Sequence, residues 1–208
     1  GLFGKNACIE VDGSAYWMSE NGFFTYDGQL KSMPCLVEDH VYDDINATSR
    51  DLINAGLNNL FGEINWFYCS ANATTIDRVV TYNYIDSSPK RPIWTTGTLN
   101  RSAWQDSAVF GQPHATEYNS SSTTATTNKD HVIGCTDGTS TYFEHEKGLD
   151  QIKEGATSSI TANIQSGDFD IGQQGLQGDG EFMMKIRRVI PDFLAQTGDA
   201  RVTLNLRD

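Results

Sequence analysis

With 27 acidic and 15 basic side chains in 208 residues, the chain has a formal net charge of −12, which argues against a groove built to grip phosphates. That charge suits a soluble surface, or one past which nucleic acid slides without sticking. A hydrophobic fraction of 38%, with plentiful Gly, Thr, Ser and Asn, excludes a helix bundle and suits many short strands joined by polar loops.

Residues 1–28 form the first unit. Residues 15–18 and 23–28 flank Ser19-Glu20-Asn21-Gly22, an Asn-Gly turn, and predict a hairpin. Between 29 and 59 the β pattern breaks. Leu36, Val37, Val41 and Ile45 recur at helical spacing. Thr48 or Ser49 is a candidate cap for a second short helix, with Leu52, Ile53 and Leu57 on one face. A helical insertion over about 36–58 is expected.

Residues 64–69 and 78–84 predict the hairpin around which the chain is organised, with a polar surface loop between them. Its second strand places Val79, Thr81 and Asn83 on one face and Arg78, Val80, Tyr82 and Tyr84 on the other. Residues 93–96 read as a closing strand, Trp104 as a core residue, and 116–129 as an exposed polar loop. Residues 131–135 and 140–146 flank an Asp137-Gly138 turn and predict a third hairpin. Beyond a boundary near 155, alternation predicts strands at 160–165, around Phe169 and Ile171, at 181–190 and at 201–207.

The tripeptide aliphatic-Phe-Gly occurs at Leu2-Phe3-Gly4, Leu60-Phe61-Gly62 and Val109-Phe110-Gly111. The segments FFTYDG, VVTYNY and TYFEHE read as variants of one strand. Three imperfect β units suggest propeller blades; an irregular β-sandwich is the alternative. The expected organisation is a propeller-like region over 1–154 and a C-terminal β platform over 155–208. The chain starts with Gly inside the first unit, which suggests a fragment of a longer protein. No apolar run reaches the ~20 residues of a membrane span, and no signal peptide is visible.

No constellation for chemistry emerges. Cys8, Cys35, Cys69 and Cys135 lack metal-like spacing and read as reduced thiols of a reducing cytoplasm; a Cys8–Cys35 disulfide has no support. Glu38, Asp39, His40, Asp43 and Asp44 read as a solvated helix face before they read as a cation site or a catalytic carboxylate pair. His145 lies between Glu144 and Glu146 and reads as a satisfied surface histidine; His40, His114 and His131 have no ligand spacing. The glycine-rich run 172–180 lacks the Lys-Ser/Thr of a phosphate loop. The four Asp-Gly pairs lack the alternating oxygen ligands of a calcium loop. No catalytic, cofactor-binding or metal-binding residue is therefore assigned, and no enzymatic activity is expected.

The segments EINWFY and DRVVTYNY, then GTLNRSAWQD, YFEHEKG, ANIQSGDFDI and FMMKIRRVIPDF, in this order, resemble the tail-nozzle (tail tubular protein B-like) and packaged-DNA-stabilisation proteins of short-tailed bacteriophages. The resemblance spans nearly the whole chain. It implies a multi-blade propeller on a β platform and a virion structural protein of the tail or head-tail connector. Copies would assemble in the host cytoplasm as a ring, expected to be hexameric, with other tail or adaptor proteins as partners. Packaged DNA would be retained, then released through the channel without sequence-specific contact. No membrane or cofactor is implied. Two other classes stay open. One is a carbohydrate-binding or carbohydrate-cleaving fibre or spike module, using Trp17, Trp66 or Trp94 as a platform. The other is a cellular propeller scaffold for protein partners.

Overall fold

Tight turns set the first sheet. Asp12 and Gly13 both adopt the left-handed conformation, φ 51° and 78°, the geometry that a two-residue antiparallel connection requires. They join β1 (Cys8–Val11) to β2 (Ser14–Ser19). Glu20 and Asn21 then join β2 to β3 (Gly22–Tyr26), with the positive φ falling on Gly22. With β4 (Leu30–Met33), these strands make a meander in the order β1-β2-β3-β4. In the computed structural model, residues 1–118, 132–134, 140–148, 150–153, 156–160, 163–166, 186–190 and 199–204 are described.

The second sheet is a like meander of β5 (Asn54–Asn58), β6 (Glu63–Tyr68), β7 (Arg78–Asn83) and β8 (Trp94–Gly97). The third contains β9 (Ala103–Gln105), β10 (His114–Tyr118), β11 (Val132–Gly134) and β12 (Ser140–Glu144), in the order β11-β12-β10-β9. Here the chain reaches the edge strand before filling the place beside β10. A two-stranded sheet of β13 (Asp150–Lys153) and β14 (Ala156–Ser159) follows. The protein is mainly β, and the three expected hairpins are present in the described residues. The turn of the third lies outside them. The expected loop over 116–129 begins later than Thr116, because β10 runs through Tyr118.

The helical insertion is shorter than expected. It comprises α1 (Glu38–Asp44) and a 3-10 helix (Ala47–Leu52). The cap of the second is the Asn46 side chain, which accepts from the Thr48 amide at 3.0 Å, in place of Thr48 or Ser49. Leu57 belongs to β5, not to a helix. Asn54, Gly56 and Asn58 carry little strand propensity, yet they line a buried face because neighbouring sheets close over them. The Ala55 amide donates to the Asn6 carbonyl at 2.9 Å, so β5 is held on both edges.

The sheets stack face to face. Val11, Met18, Phe23 and Met33 of the first pack on Ile64, Trp66, Val80 and Trp94 of the second, with Phe3, Ala7, Val41 and Ile53 completing this core. On its other face the second sheet packs Phe67 and Val79 against Trp104 of the third. Opening strands of successive sheets are neighbours, β1 beside β5 and β5 beside β9.

Registration separates true repeat positions from coincidence. Cys8, Trp17, Phe24 and Ser32 face one another across sheet one. Ala55, Trp66, Val80 and Thr96 do so across sheet two. FFTYDG and VVTYNY therefore match residue for residue. TYFEHE does not: Phe143 lies in the row of Trp104 and Ala115, which places Tyr142 on the opposite face. A slip of one residue exchanges the faces of a strand. Phe61-Gly62 and Phe110-Gly111 both lie between the first and second strands of their sheets, whereas Phe3-Gly4 precedes β1. Phe3 is accordingly buried, while Phe61 and Phe110 are exposed.

Two compact units divide at residue 161: Gly1–Thr161 and Ala162–Asp208. The expected boundary near 155 falls between the paired strands β13 and β14. In the second unit the described residues 163–166, 186–190 and 199–204 carry neither strand nor helix. The expected strands around Phe169 and Ile171 and at 181–185 lie outside the described residues.

Candidate functional site

Two tryptophans proposed for a sugar platform are core residues. Trp66 and Trp94 donate their indole N–H groups to the carbonyls of Ala7 and Pro34, at 3.0 and 2.8 Å. Both are buried. On α1, Asp44 pairs with Arg78 at 2.9 Å. Among the described residues no group of three or more His, Cys, Asp or Glu side chains could hold a metal ion. Cys8 is exposed, Cys35 half-buried and Cys69 buried, and all three are free. Burial pushes the Cys35 thiol up to about 12. Cys135, the glycine-rich run 172–180 and the Asp137-Gly138 and Asp179-Gly180 pairs lie outside the described residues.

His145 is not a surface histidine. It lies just past the end of β12, half-buried against the Trp104 ring at 4.8 Å. Its Nε2 accepts from Arg101 Nε at 2.7 Å. Arg101 is itself buried, stacked over the Phe143 ring at 4.0 Å, and donates to the Asn100 carbonyl and to Glu117. Burial, then the Arg101 charge, then His114 hold His145 down to about 3, so it is a neutral acceptor. Burial likewise brings Arg101 down to about 10, against the opposing pull of Glu117. The Arg101 carbonyl accepts from Asn54 on β5 at 3.2 Å. The cluster has every mark of a structural clasp between the second and third sheets.

One surface stands apart. The first sheet has two apolar faces. Its inner face joins the core. Its outer face carries Cys8, Trp17 and Phe24 in one row, and Glu10, Ala15, Tyr26 and Leu30 in the next. Trp17 and Phe24 stack with ring centroids 5.9 Å apart, and neither joins the core cluster. Tyr26 and Leu30 are 51% and 66% exposed. In the second sheet the equivalent rows, Ala55-Trp66-Val80 and Leu57-Ile64-Tyr82-Trp94, are the ones covered by the first sheet. Trp17, half-buried, thus occupies the place of Trp66, and Tyr26, exposed, that of Tyr82, with no sheet over them among the described residues. A partly exposed aromatic face of this kind is a candidate interaction surface. A signal for it was present in the sequence: Tyr16-Trp17-Met18 and Phe23-Phe24 are apolar on both faces, as strands covered on both sides are.

A groove of about 390 Å³ opens elsewhere, lined by Leu52, Ile76 and Tyr118 with Thr74, Thr75, Asn100 and Ser102. The Asn100 Oδ1 atom there is buried without a partner among the described residues. No protein-family model and no curated protein matches the chain.

Proposed function

We propose that this chain is a structural protein of a tailed-bacteriophage virion, a component of the tail nozzle or of a DNA-stabilising ring. Its four-stranded sheets are read as blades of a β-propeller. The observation that carries this reading is the outer face of the first sheet, which no sheet covers among the described residues and which matches in register a face that the second sheet buries. A protein that works by touching neighbours keeps such a face for them. The stacking of successive sheets with their opening strands side by side fits a radial arrangement. The sequence resemblance supplies the setting: a ring of copies, with adaptor proteins as further partners, around a channel that retains DNA and then passes it. A net charge of −12 suits a wall that DNA slides along.

The test is the state of association. Light scattering behind size exclusion, with negative-stain images, should show closed rings whose population rises with concentration. Tyr26→Lys with Leu30→Lys should abolish the rings and leave the melting temperature nearly unchanged, because both side chains face water in the single chain. A species that stays monomeric up to the highest attainable concentration overturns the assembly reading.

The groove favours a second reading, a carbohydrate-binding module. Its hydroxyls, amide and tyrosine ring are groups that sugars use. Glycan-array binding lost in Tyr118→Ala would support it.

A further inference from the structure

Asn58 is the last residue of β5 and stands opposite Glu63, the first of β6. Its side chain is almost wholly buried, at 2% exposure. Its Nδ2 lies 3.4 Å from Glu63 Oε2 and 3.3 Å from Glu146 Oε1. Its Oδ1 is buried with no partner among the described residues. Glu146 comes from the third sheet, just beyond β12, in the left-handed conformation at φ 59°. Two carboxylates from two sheets therefore converge on one neutral amide through long contacts, while that amide's oxygen goes unused.

We propose that Glu63, Glu146 and Asn58 form a site for a hard divalent cation, calcium in particular, that ties the third sheet to the second. Turning the Asn58 amide over presents Oδ1 in place of Nδ2, so that one neutral and two charged oxygens converge. Water completes the shell on the side where Glu146 is exposed. Calcium accepts such irregular oxygen sets, whereas magnesium demands a near-ideal octahedron. Two carboxylates, one of them at the surface, place the affinity in the weak class, with Kd on the order of 0.1–1 mM. Other charged and titratable groups close by are engaged: Asp106 accepts from the Asn59 amide at 3.0 Å, Tyr84 donates to the Asn59 side chain at 2.9 Å, and Lys147 contacts Glu144 at 2.8 Å.

The experiment is thermal unfolding of the whole chain against calcium chloride up to about 20 mM at fixed ionic strength, with magnesium and sodium chloride in parallel. A saturable rise in melting temperature is expected with calcium, a smaller one with magnesium and none with sodium. Glu63→Gln with Glu146→Gln should remove the calcium effect and, without calcium, melt no lower than the parent, because a like-charged pair is gone. Asn58→Asp supplies a third carboxylate. It should melt lower without calcium and bind it roughly tenfold more tightly by titration calorimetry. An absent rise, an equal rise with all three salts, a rise that survives the double substitution, or unchanged affinity in Asn58→Asp overturns the site.

Discussion

At the scale of single residues, Gly56 shows how one missing side chain admits a neighbour. A Cβ there would lie 2.6 Å from the Trp104 Cγ. The indole cannot retreat, because its N–H is held by the Leu57 carbonyl at 2.7 Å and its ring stacks on Phe67. Gly56→Ala should cost about 1–3 kcal/mol in urea unfolding, the usual penalty of overpacking. Gly97→Ala is the control: its nearest neighbour would be Val79 Cγ1 at 3.6 Å, ordinary contact. Its effect should stay within about 0.5 kcal/mol.

His145 gives a prediction with a definite sign. Its folded value of about 3 lies below the ~6.5 of an unfolded histidine. The unfolded chain then binds the extra proton first, so this stabilisation is full above pH ~6.5 and declines as pH falls below it. His145→Gln keeps an acceptor for Arg101 Nε but does not titrate. Between pH 6.5 and 5, wild type should lose stability relative to this variant by up to roughly 1.4 kcal/mol per pH unit, read from denaturant midpoints. Parallel profiles would show that the imidazole titrates normally. Arg101 and His145 are 44 positions apart in sequence, with no spacing to announce their meeting.

At the scale of elements, the loop between β6 and β7 is closed by one carboxylate. Asp77 accepts from the Ser70 amide and hydroxyl, both at 2.7 Å, and pairs with Arg78 at 3.1 Å. The Asp77 amide in turn donates to the Tyr68 carbonyl. Asp77→Ala should destabilise by about 1–3 kcal/mol, while Asp77→Asn, which keeps one acceptor, should lose less. Equal losses would mean that the carboxylate's second oxygen and charge contribute nothing.

Elements differed in how legible they were. β6 and β7 declare themselves through aromatic and β-branched residues in alternation. β5 does not, because its sequence NAGLN suits its neighbours and not its own propensity. Asn54 and Asn58 make contacts to distant residues, and Gly56 makes space for one. The third hairpin was legible as a hairpin, but its alignment to the others was not. That depends on which strand pairs with β10, a matter of topology.

At the scale of the whole molecule, cover is uneven. The second sheet has packed sheets on both faces, and Ile64 through Tyr68 are buried without interruption. Among the described residues, the first sheet is covered by another sheet on one face only. Amide exchange should therefore be slowest in β6 and β7 and faster by orders of magnitude in β4, whose outer positions are exposed. Any assembly that covers the first sheet's outer face should slow its exchange towards that of the second sheet. Uniform protection across the sheets would contradict this hierarchy.

Alternation, turn pairs and composition were enough to establish by themselves a mainly β chain with three hairpins and a short helical insertion. These are local properties, written wherever backbone preference and side-chain periodicity agree. The tertiary structure alone decided that Trp66 and Trp94 are buried while Trp17 is not, that Arg101 meets His145, and that Glu63 and Glu146 share one amide. Each of these depends on which sheet lies against which face, and stacking between sheets leaves no periodic trace along the chain.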